Sequence, residues 1–158
     1  MKKKIITFPS VDHKNYLKIT ESKYKSDLII VPNLIHHIPY HNKFFKNLRK
    51  ILNKNGKVYI SMEAKLLFAS GSTQVDPEGQ KALKELAKIL EGQQDLEVLV
   101  EGHTDSDKMN SSAHPKDNWE LSVLRATSVV KIMLKHSSID PVTITAAGRG
   151  EFLPIDLE

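Results

Sequence analysis

The hydrophobic residues in the second half of the chain repeat with two different periods. Between Pro77 and Gly92 they recur every three to four positions, which predicts a helix with Asp76 as its N-cap. Its predicted apolar face consists of Ala82, Leu83, Leu86, Ala87 and Leu90. Residues 95–101 alternate at period two, which predicts a strand after this helix.

A second helix and a second strand follow a polar loop at residues 106–117. Helical periodicity resumes at Asn118 and continues to Lys135. The predicted buried stripe of this helix is Leu121, Leu124, Ser128 and Ile132. After a turn at residues 139–141, the run at 142–147 predicts the next strand.

The first half contains a continuous apolar run and an amphipathic segment. Residues 27–31 are typical of a buried parallel strand. The apolar face of the helix predicted next consists of Phe44, Phe45, Leu48, Ile51 and Leu52. Asn55-Gly56 predicts the end of this helix, and residues 57–62 alternate as a strand. This order predicts a parallel pair with a right-handed crossover, and residues 3–8 predict one more short strand.

Composition excludes several classes of protein. The 158 residues contain no cysteine, which excludes disulfides, thiolate catalysis and cysteine-based zinc sites. No apolar run reaches the ~20 residues of a spanning helix, so we expect no membrane insertion. Residues 1–60 carry 13 Lys and Arg against 3 Asp and Glu, whereas residues 61–158 carry 10 against 16. Because the basic half lacks interleaved aromatic residues, we interpret its lysines as a solvated helix face and expect no nucleic-acid partner.

Five ordered segments of the second half carry a specific resemblance. They are 66–72 (LLFASGS), 77–79 (PEG), 102–105 (GHTD), 118–130 (NWELSVLRATSVV) and 147–151 (AGRGE). The third places three polar side chains just past a strand end, on the kind of loop where binding residues concentrate. Over about residues 57–154 the sequence resembles the OmpA-like family of peptidoglycan-binding domains, including its flagellar-motor stator (MotB) branch.

The resemblance implies a binding site without catalysis. In the family an Asp and an Arg grip the diaminopimelate of the peptidoglycan stem peptide, whose zwitterionic end carries an ammonium and a carboxylate. Motif matching gives these roles to Asp105 for the ammonium and to Arg125 for a bidentate grip on the carboxylate. Further contributions to ligand binding are implied for Asn118, Thr104, Leu121, Ser122 and His103. The sequence shows no catalytic constellation, so we expect no enzyme, no cofactor and no metal.

Several of these residues, and Trp119 beside them, also have a purely structural interpretation. Asp105 and Arg125 can form an ion pair that only stabilises the loop. Asn118 can be only a helix cap. We interpret His103 as a structural hydrogen-bonding residue, and we expect Trp119 to lie in the core.

The first half resembles a different family. Residues 27–38 (DLIIVPNLIHHI) and 56–60 (GKVYI) are similar to the later part of a class I S-adenosylmethionine-dependent methyltransferase. The glycine-rich cofactor loop of that family would lie upstream, but residues 1–26 contain no glycine. We therefore interpret residues 1–60 as a fragment of that fold, joined in a recombinant or natural chimera. His36, His37 and His41 do not predict a metal site, because adjacent side chains on a regular element point apart.

Together these elements predict an α/β (α+β) fold. Its core is an OmpA-like βαβαβ sandwich of helices on a mixed sheet, with residues 1–56 as a methyltransferase-like part and 57–158 as an OmpA-like part. The family pattern continues with a helix carrying N-x-x-R-R and a final strand, and the sequence reaches Glu158 without them. Residues 27–53 either fill that place in one merged sheet or belong to a separate lobe. An open sheet edge would also allow a homodimer.

Three hypotheses for function remain open. The first is noncovalent binding of the peptidoglycan stem peptide, and the second is residual S-adenosylmethionine binding by a methyltransferase relic. The third is a recombined or designed fold without a ligand. The basic start at residues 1–4 is followed by too few apolar residues for an export signal. The chain as written is therefore expected in the cytoplasm, whereas an OmpA-like parent would be periplasmic or outer-membrane associated.

Overall fold

The chain divides into two compact units, residues 1–63 and 64–158. The computed structural model describes residues 5–7, 26–31, 50–91, 96–107, 109 and 114–152. The described strands belong to two sheets, one in each unit. The boundary between the units lies later in the chain than the predicted boundary at residue 56, and the division into domains stays a prediction.

The first unit contains a three-stranded parallel sheet. Its strands, in sheet order, are β1 (Ile5–Thr7), β2 (Ser26–Val31) and β3 (Leu52–Ile60). The continuous ladder between β2 and β3 begins where Leu28 pairs with Lys57, so the predicted parallel pair is confirmed. β3 nevertheless starts at Leu52, inside the predicted helix. Residues 44–49 of that predicted helix lie outside the described ranges. Ile29, at the centre of β2, is fully buried.

The second unit consists of helices and a parallel pair of strands. Its elements are α1 (Ala64–Leu67), α2 (Pro77–Leu90), β4 (Val98–Gly102), α3 (Asn118–His136), a 3-10 helix (Pro141–Thr143) and β5 (Ile144–Gly148). β4 and β5 pair in parallel along their whole lengths, from Val98 opposite Ile144 to Gly102 opposite Gly148. The α/β fold is confirmed. Both described sheets are parallel, however, whereas the sequence predicted a mixed sheet.

The boundaries of the two long helices follow local sequence signals. α2 begins at Pro77, directly after Asp76, as predicted. α3 begins at Asn118, also as predicted, but its N-cap is Asp117, whose Oδ1 accepts a hydrogen bond from the Glu120 amide at 2.8 Å. The prediction that Asn118 could be the helix cap is therefore wrong.

α3 packs on the sheet along a different line from the predicted one. Its buried residues are Leu121, Ser122, Ala126, Val129 and Met133. Ser122 is fully buried over the glycine pair Gly102 and Gly148, where a Cβ on either glycine would overlap its atoms. This close approach fixes the rotation of the helix. As a result Leu124, predicted in the buried stripe, is 38% exposed.

Candidate ligand-binding site

Two loops leave the same edge of the second unit's sheet and lie side by side. Because β4 and β5 are parallel, their carboxyl ends meet there. The Arg149 amide donates to the Gly102 carbonyl at 2.9 Å, and the Thr104 amide donates to the Gly150 carbonyl at 3.0 Å. The Ser122 hydroxyl accepts a hydrogen bond from the Gly150 amide at 3.0 Å. The polar residues after β4 therefore lie beside the first turns of α3.

Asn118 holds this arrangement together from the start of α3. Its side-chain amide nitrogen donates to the backbone carbonyl of Asp105 at 3.2 Å and to that of Asp107 at 2.9 Å. The same nitrogen donates to Glu151 Oε2 at 2.9 Å. Its N–H groups are thus used within the protein and are not available to ligand oxygens. The Asn118 Oδ1 atom accepts no hydrogen bond from any described residue.

The Asp105 side chain is exposed on the loop that Asn118 holds. Only the backbone of Asp105 is tied down, through its carbonyl. Within the described ranges, its carboxylate takes part in no hydrogen bond and in no ion pair closer than 4.0 Å. A carboxylate held in place by its backbone and without a protein partner is available to a cationic ligand group.

Arg125 is half-buried on the second turn of α3. Its Nε donates to the Ser72 carbonyl at 2.9 Å, and its Nη2 donates to the Ala69 carbonyl at 3.3 Å. The guanidinium carbon lies 4.9 Å from the centroid of the Phe68 ring. Burial lowers the pKa of Arg125, and the negative charge of Asp105 partly offsets this. The guanidinium still carries its charge at neutral pH, because its ordinary pKa lies far above neutrality.

Asp105 and Arg125 interact electrostatically without touching. The charge of Asp105 acts on the pKa of Arg125, yet in the described structure the two side chains form no direct ion pair. The interpretation that they merely pair with each other to stabilise the loop is therefore not supported. The arrangement leaves a negative and a positive group that a zwitterionic ligand can satisfy together.

The guanidinium of Arg125 has one occupied edge and one open edge. Nε–H and one N–H of Nη2 point along the same edge, and the carbonyls of Ser72 and Ala69 accept both. No described residue accepts a hydrogen bond from Nη1. The edge formed by Nη1 and the second N–H of Nη2 is the geometry that grips a carboxylate with two parallel hydrogen bonds.

His103 and Thr104 differ in how their side chains are satisfied. His103 Nε2 lies 3.1 Å from Glu101 Oε1, and Glu101 Oε2 accepts a hydrogen bond from Arg149 Nε at 3.0 Å. This chain of contacts supports the structural interpretation of His103. The Thr104 hydroxyl is buried and has no hydrogen-bond partner among the described residues. A buried polar group without a partner costs about 1–3 kcal/mol, and the burial of this hydroxyl also keeps it from contacting a ligand in this conformation.

Two of the predicted ligand-binding residues, Leu121 and Ser122, are buried in the packing between α3 and the sheet. Leu121 is 4% exposed and Ser122 is fully buried. Their side chains cannot line a ligand surface in this conformation, because the residues packed around them exclude it. Ser122 instead joins α3 to the turn at Gly150, as its hydroxyl also donates to the Trp119 carbonyl at 2.8 Å.

Trp119 is not in the core, and that prediction is wrong. Its side chain is 48% exposed and packs against Phe152, with ring centroids 5.8 Å apart and planes tilted by 50°. Trp119 lies one turn before Ser122 on the helix, and its ring lies beside Gly150, where an added Cβ would come within 3.2 Å of it.

Sequence reasoning assigned no role to the residues that hold Arg125 and Asn118. These residues are Phe68, Ala69, Ser72 and Glu151. The available signal was Gly71, which has a φ of 67° in a turn closed by the Ser72 amide and the Ala69 carbonyl at 3.0 Å. A positive φ at the third residue is typical of a type II turn and indicates a shaped loop.

The described residues contain no cluster of three or more His, Asp or Glu side chains that could hold a metal ion. His36, His37 and His41 lie outside these residues. Of the helices that the structure describes, none combines the length and the apolar character needed to cross a bilayer.

Two proteins of Bacillus subtilis are similar to this chain. Motility protein B is 27% identical over 96 residues, which are 61% of this chain and 36% of that protein. The uncharacterized protein YtxE is 29% identical over 103 residues, which are 65% of this chain and 41% of that protein. The chain thus spans about two-fifths of the length of these relatives.

Solved structures show the same fold. A putative MotB-like protein from Desulfovibrio vulgaris is 31% identical with a TM-score of 0.54, over 58% of this chain and 56% of that chain. The periplasmic domain of Helicobacter pylori MotB has a TM-score of 0.54 at 23% identity, over 60% of each chain. This second similarity supports the fold alone.

The OmpA family profile matches residues 67–158. The match includes the loop with Asp105, the helix with Arg125 and the turn at Gly71. It begins after residues 1–60, so the methyltransferase resemblance and the chimeric origin stay predictions. Since the match covers more than half of the sequence, the chain belongs to the OmpA family.

Proposed function

We propose that the second unit binds peptidoglycan noncovalently through the diaminopimelate of the stem peptide. OmpA-like domains are peptidoglycan-binding modules and not enzymes. The observation that carries the finer proposal is the pair Asp105 and Arg125. Among the described residues, no side chain pairs with the Asp105 carboxylate and none accepts a hydrogen bond from Arg125 Nη1, while the charge of Asp105 raises the pKa of Arg125. A binding role with fixed, complementary charges suits this arrangement better than a catalytic one.

The chemistry of diaminopimelate fits these two groups. Its distal end carries an ammonium and a carboxylate on one carbon. The Asp105 carboxylate would pair with the ammonium, and the open edge of Arg125 would bind the carboxylate bidentately. Asn118 Oδ1 offers a second acceptor for the ammonium. The Thr104 hydroxyl would add a polar contact only if the ligand rearranged the loop that buries it.

The affinity for a free ligand should be modest. The Asp105 side chain is exposed, so water competes for its charge and salt screens it. We expect dissociation constants on the order of micromolar to millimolar for a soluble stem peptide. Many weak contacts to one polymer would still retain a protein on it through high effective concentration.

Titration with a stem peptide that contains diaminopimelate tests the proposal. Backbone amide NMR should show saturable shifts at residues 102–107 and 118–126. Asp105→Ala should abolish them. Asp107→Ala is the matched control, because Asp107 is exposed on the same loop and its carbonyl also accepts from Asn118. Absence of saturable shifts in the wild type, or equal loss in both variants, would contradict the proposal.

Three further ideas about the chain stay proposals with simple tests. Residual S-adenosylmethionine binding by the first unit has only the sequence resemblance and the parallel sheet in its support, and a thermal shift with the cofactor tests it. A homodimer through an open sheet edge would appear in light scattering as a doubled mass. The predicted cytoplasmic location is tested by fractionating cells that express the chain.

A further inference from the structure

We propose that Phe68, acting with the carbonyls of Ala69 and Ser72, is the residue that positions Arg125 for recognition of the ligand carboxylate. This inference rests on the proposed function, because it concerns how the same site selects its ligand. Phe68 does not need to touch the ligand. It acts through the guanidinium, so it is a positioning residue.

The Phe68 ring is itself held firmly. It is 6% exposed, and the residue forms an isolated antiparallel bridge with Val75. Its amide donates to the Ala64 carbonyl at 2.8 Å. The guanidinium carbon of Arg125 lies 4.9 Å from the ring centroid, inside the ~6 Å range of a cation–π interaction. The aromatic face therefore fixes the plane on which the cation rests.

The turn after Phe68 fixes the direction of the guanidinium. The carbonyls of Ala69 and Ser72 accept from Nη2 and Nε, so they occupy one edge. The turn is closed by its own hydrogen bond, and the Ser72 hydroxyl accepts a further one from the Gln74 amide at 3.0 Å. With the plane set by the ring and one edge set by the turn, the Nη1–Nη2 edge has a single direction.

This preorganisation predicts which part of the ligand depends on Phe68. A long arginine side chain loses rotamer freedom when it grips a carboxylate, and a pre-positioned one has less freedom left to lose. The ammonium of the ligand contacts Asp105 and does not benefit. Loss of the aromatic face should therefore weaken carboxylate recognition selectively.

A matched pair of ligands separates the two charges. A stem peptide with lysine in place of diaminopimelate keeps the ammonium and lacks the distal carboxylate. We expect Phe68→Leu, which keeps an apolar side chain but loses the aromatic face, to reduce the wild-type preference for the diaminopimelate peptide about 5-fold. The lysine peptide should bind equally to both proteins. Phe68→Tyr keeps an aromatic face and should retain the wild-type preference.

Two further measurements guard against a merely structural effect. The Arg125 Nε–H proton, followed by NMR, should exchange slowly with water in the wild type. It should exchange faster in Phe68→Leu, because its hydrogen bond to the Ser72 carbonyl would weaken. Gly71→Ala strains the turn without a steric clash, since nothing lies within 4 Å of the added Cβ, and it should lower the preference in the same direction. It also provides a second test if Phe68→Leu folds poorly.

The outcomes distinguish this inference from the proposed function. If the wild type prefers the diaminopimelate peptide and Phe68→Leu and Gly71→Ala both keep that preference, the positioning role is wrong and the proposed function stands. Equal weakening of both peptides also overturns it, because the effect would then be structural. If the wild type binds neither peptide, the proposed function fails and this inference fails with it.

Discussion

The side chain of Asn118 donates a hydrogen bond to the backbone carbonyl of Asp105, at 3.2 Å, across the gap between a helix and a loop. The first residue of α3 thereby holds the loop that presents the exposed carboxylate. The same nitrogen reaches Asp107 and Glu151, so one side chain links three segments of the site. The position of Asp105 therefore depends on Asn118, whose side-chain N–H groups all donate to acceptors within the protein.

Asn118→Ala should loosen this loop. The carbonyls of Asp105 and Asp107 would lose a donor, at a cost of about 1 kcal/mol in the free energy of unfolding. Hydrogen exchange at residues 103–107 should become faster, and the affinity for the stem peptide should fall. Asp117→Asn is the control, since Asn is an equally good N-cap and the helix start is kept. Unchanged exchange in Asn118→Ala would show that other contacts hold the loop.

Ser122→Ala should destabilise the protein through a lost hydrogen bond. Without the hydroxyl, the buried amide of Gly150 has no acceptor, and the free energy of unfolding should fall by about 1–3 kcal/mol. Thr127→Val removes a hydroxyl that only bonds back to the Val123 carbonyl of its own helix, so it should cost far less. Urea unfolding of both variants measures the difference. Equal losses would mean that the bond to Gly150 contributes little.

Gly148→Ala should be more damaging than Gly71→Ala. A Cβ on Gly148 would overlap the Ser122 hydroxyl and lie 2.7 Å from the Val123 amide nitrogen, so helix and sheet must separate. We expect a loss of at least about 3 kcal/mol in the free energy of unfolding. At Gly71 nothing lies within 4 Å of the added Cβ. Only the strain of the positive φ remains, and it should lower the free energy of unfolding by about 1–2 kcal/mol. Chemical denaturation ranks the two, and the reverse order would refute this packing.

The fluorescence of Trp119 should report a partly solvated ring beside the site. Trp119 is the single tryptophan of the chain and is 48% exposed. Acrylamide should therefore quench its emission readily, and Phe152→Ala should increase quenching by removing the ring that covers one side. This variant should change the free energy of unfolding by less than about 0.5 kcal/mol, because Phe152 is largely exposed. A blue-shifted, unquenched emission would place Trp119 in the core instead.

Local signals predicted the two long helices of the second unit, whereas features set by contacts between distant residues could not be predicted. Asp76-Pro77 marked the start of α2 because capping and proline geometry act within a few residues. The buried line of α3 was wrong at Leu124, since its rotation is set by Ser122 against a glycine pair on two distant strands. Hydrophobic periodicity alone does not show where a helix can approach a sheet most closely.

The site divides in the same way. Motif matching predicted Asp105 and Arg125 as site residues, because both lie in short stretches with a specific order of residues. The hold on Arg125 could not be read from its neighbours, as it comes from a turn 53 residues earlier in the chain. The role of Asn118 could not be predicted from the sequence either. An Asn at a helix start can cap the helix or donate hydrogen bonds to a neighbouring loop, and both roles use the same side-chain amide.

The most direct test of the central claim is the affinity of the wild-type chain for two stem peptides, one with diaminopimelate and one with lysine. If Asp105 binds the ammonium and Arg125 binds the carboxylate, the diaminopimelate peptide should bind at least about 10-fold more tightly, as a bidentate charged pair warrants. Arg125→Gln should erase this preference, whereas Asp105→Asn should weaken both peptides. Equal affinities in the wild type, or a preference that survives Arg125→Gln, would contradict the account.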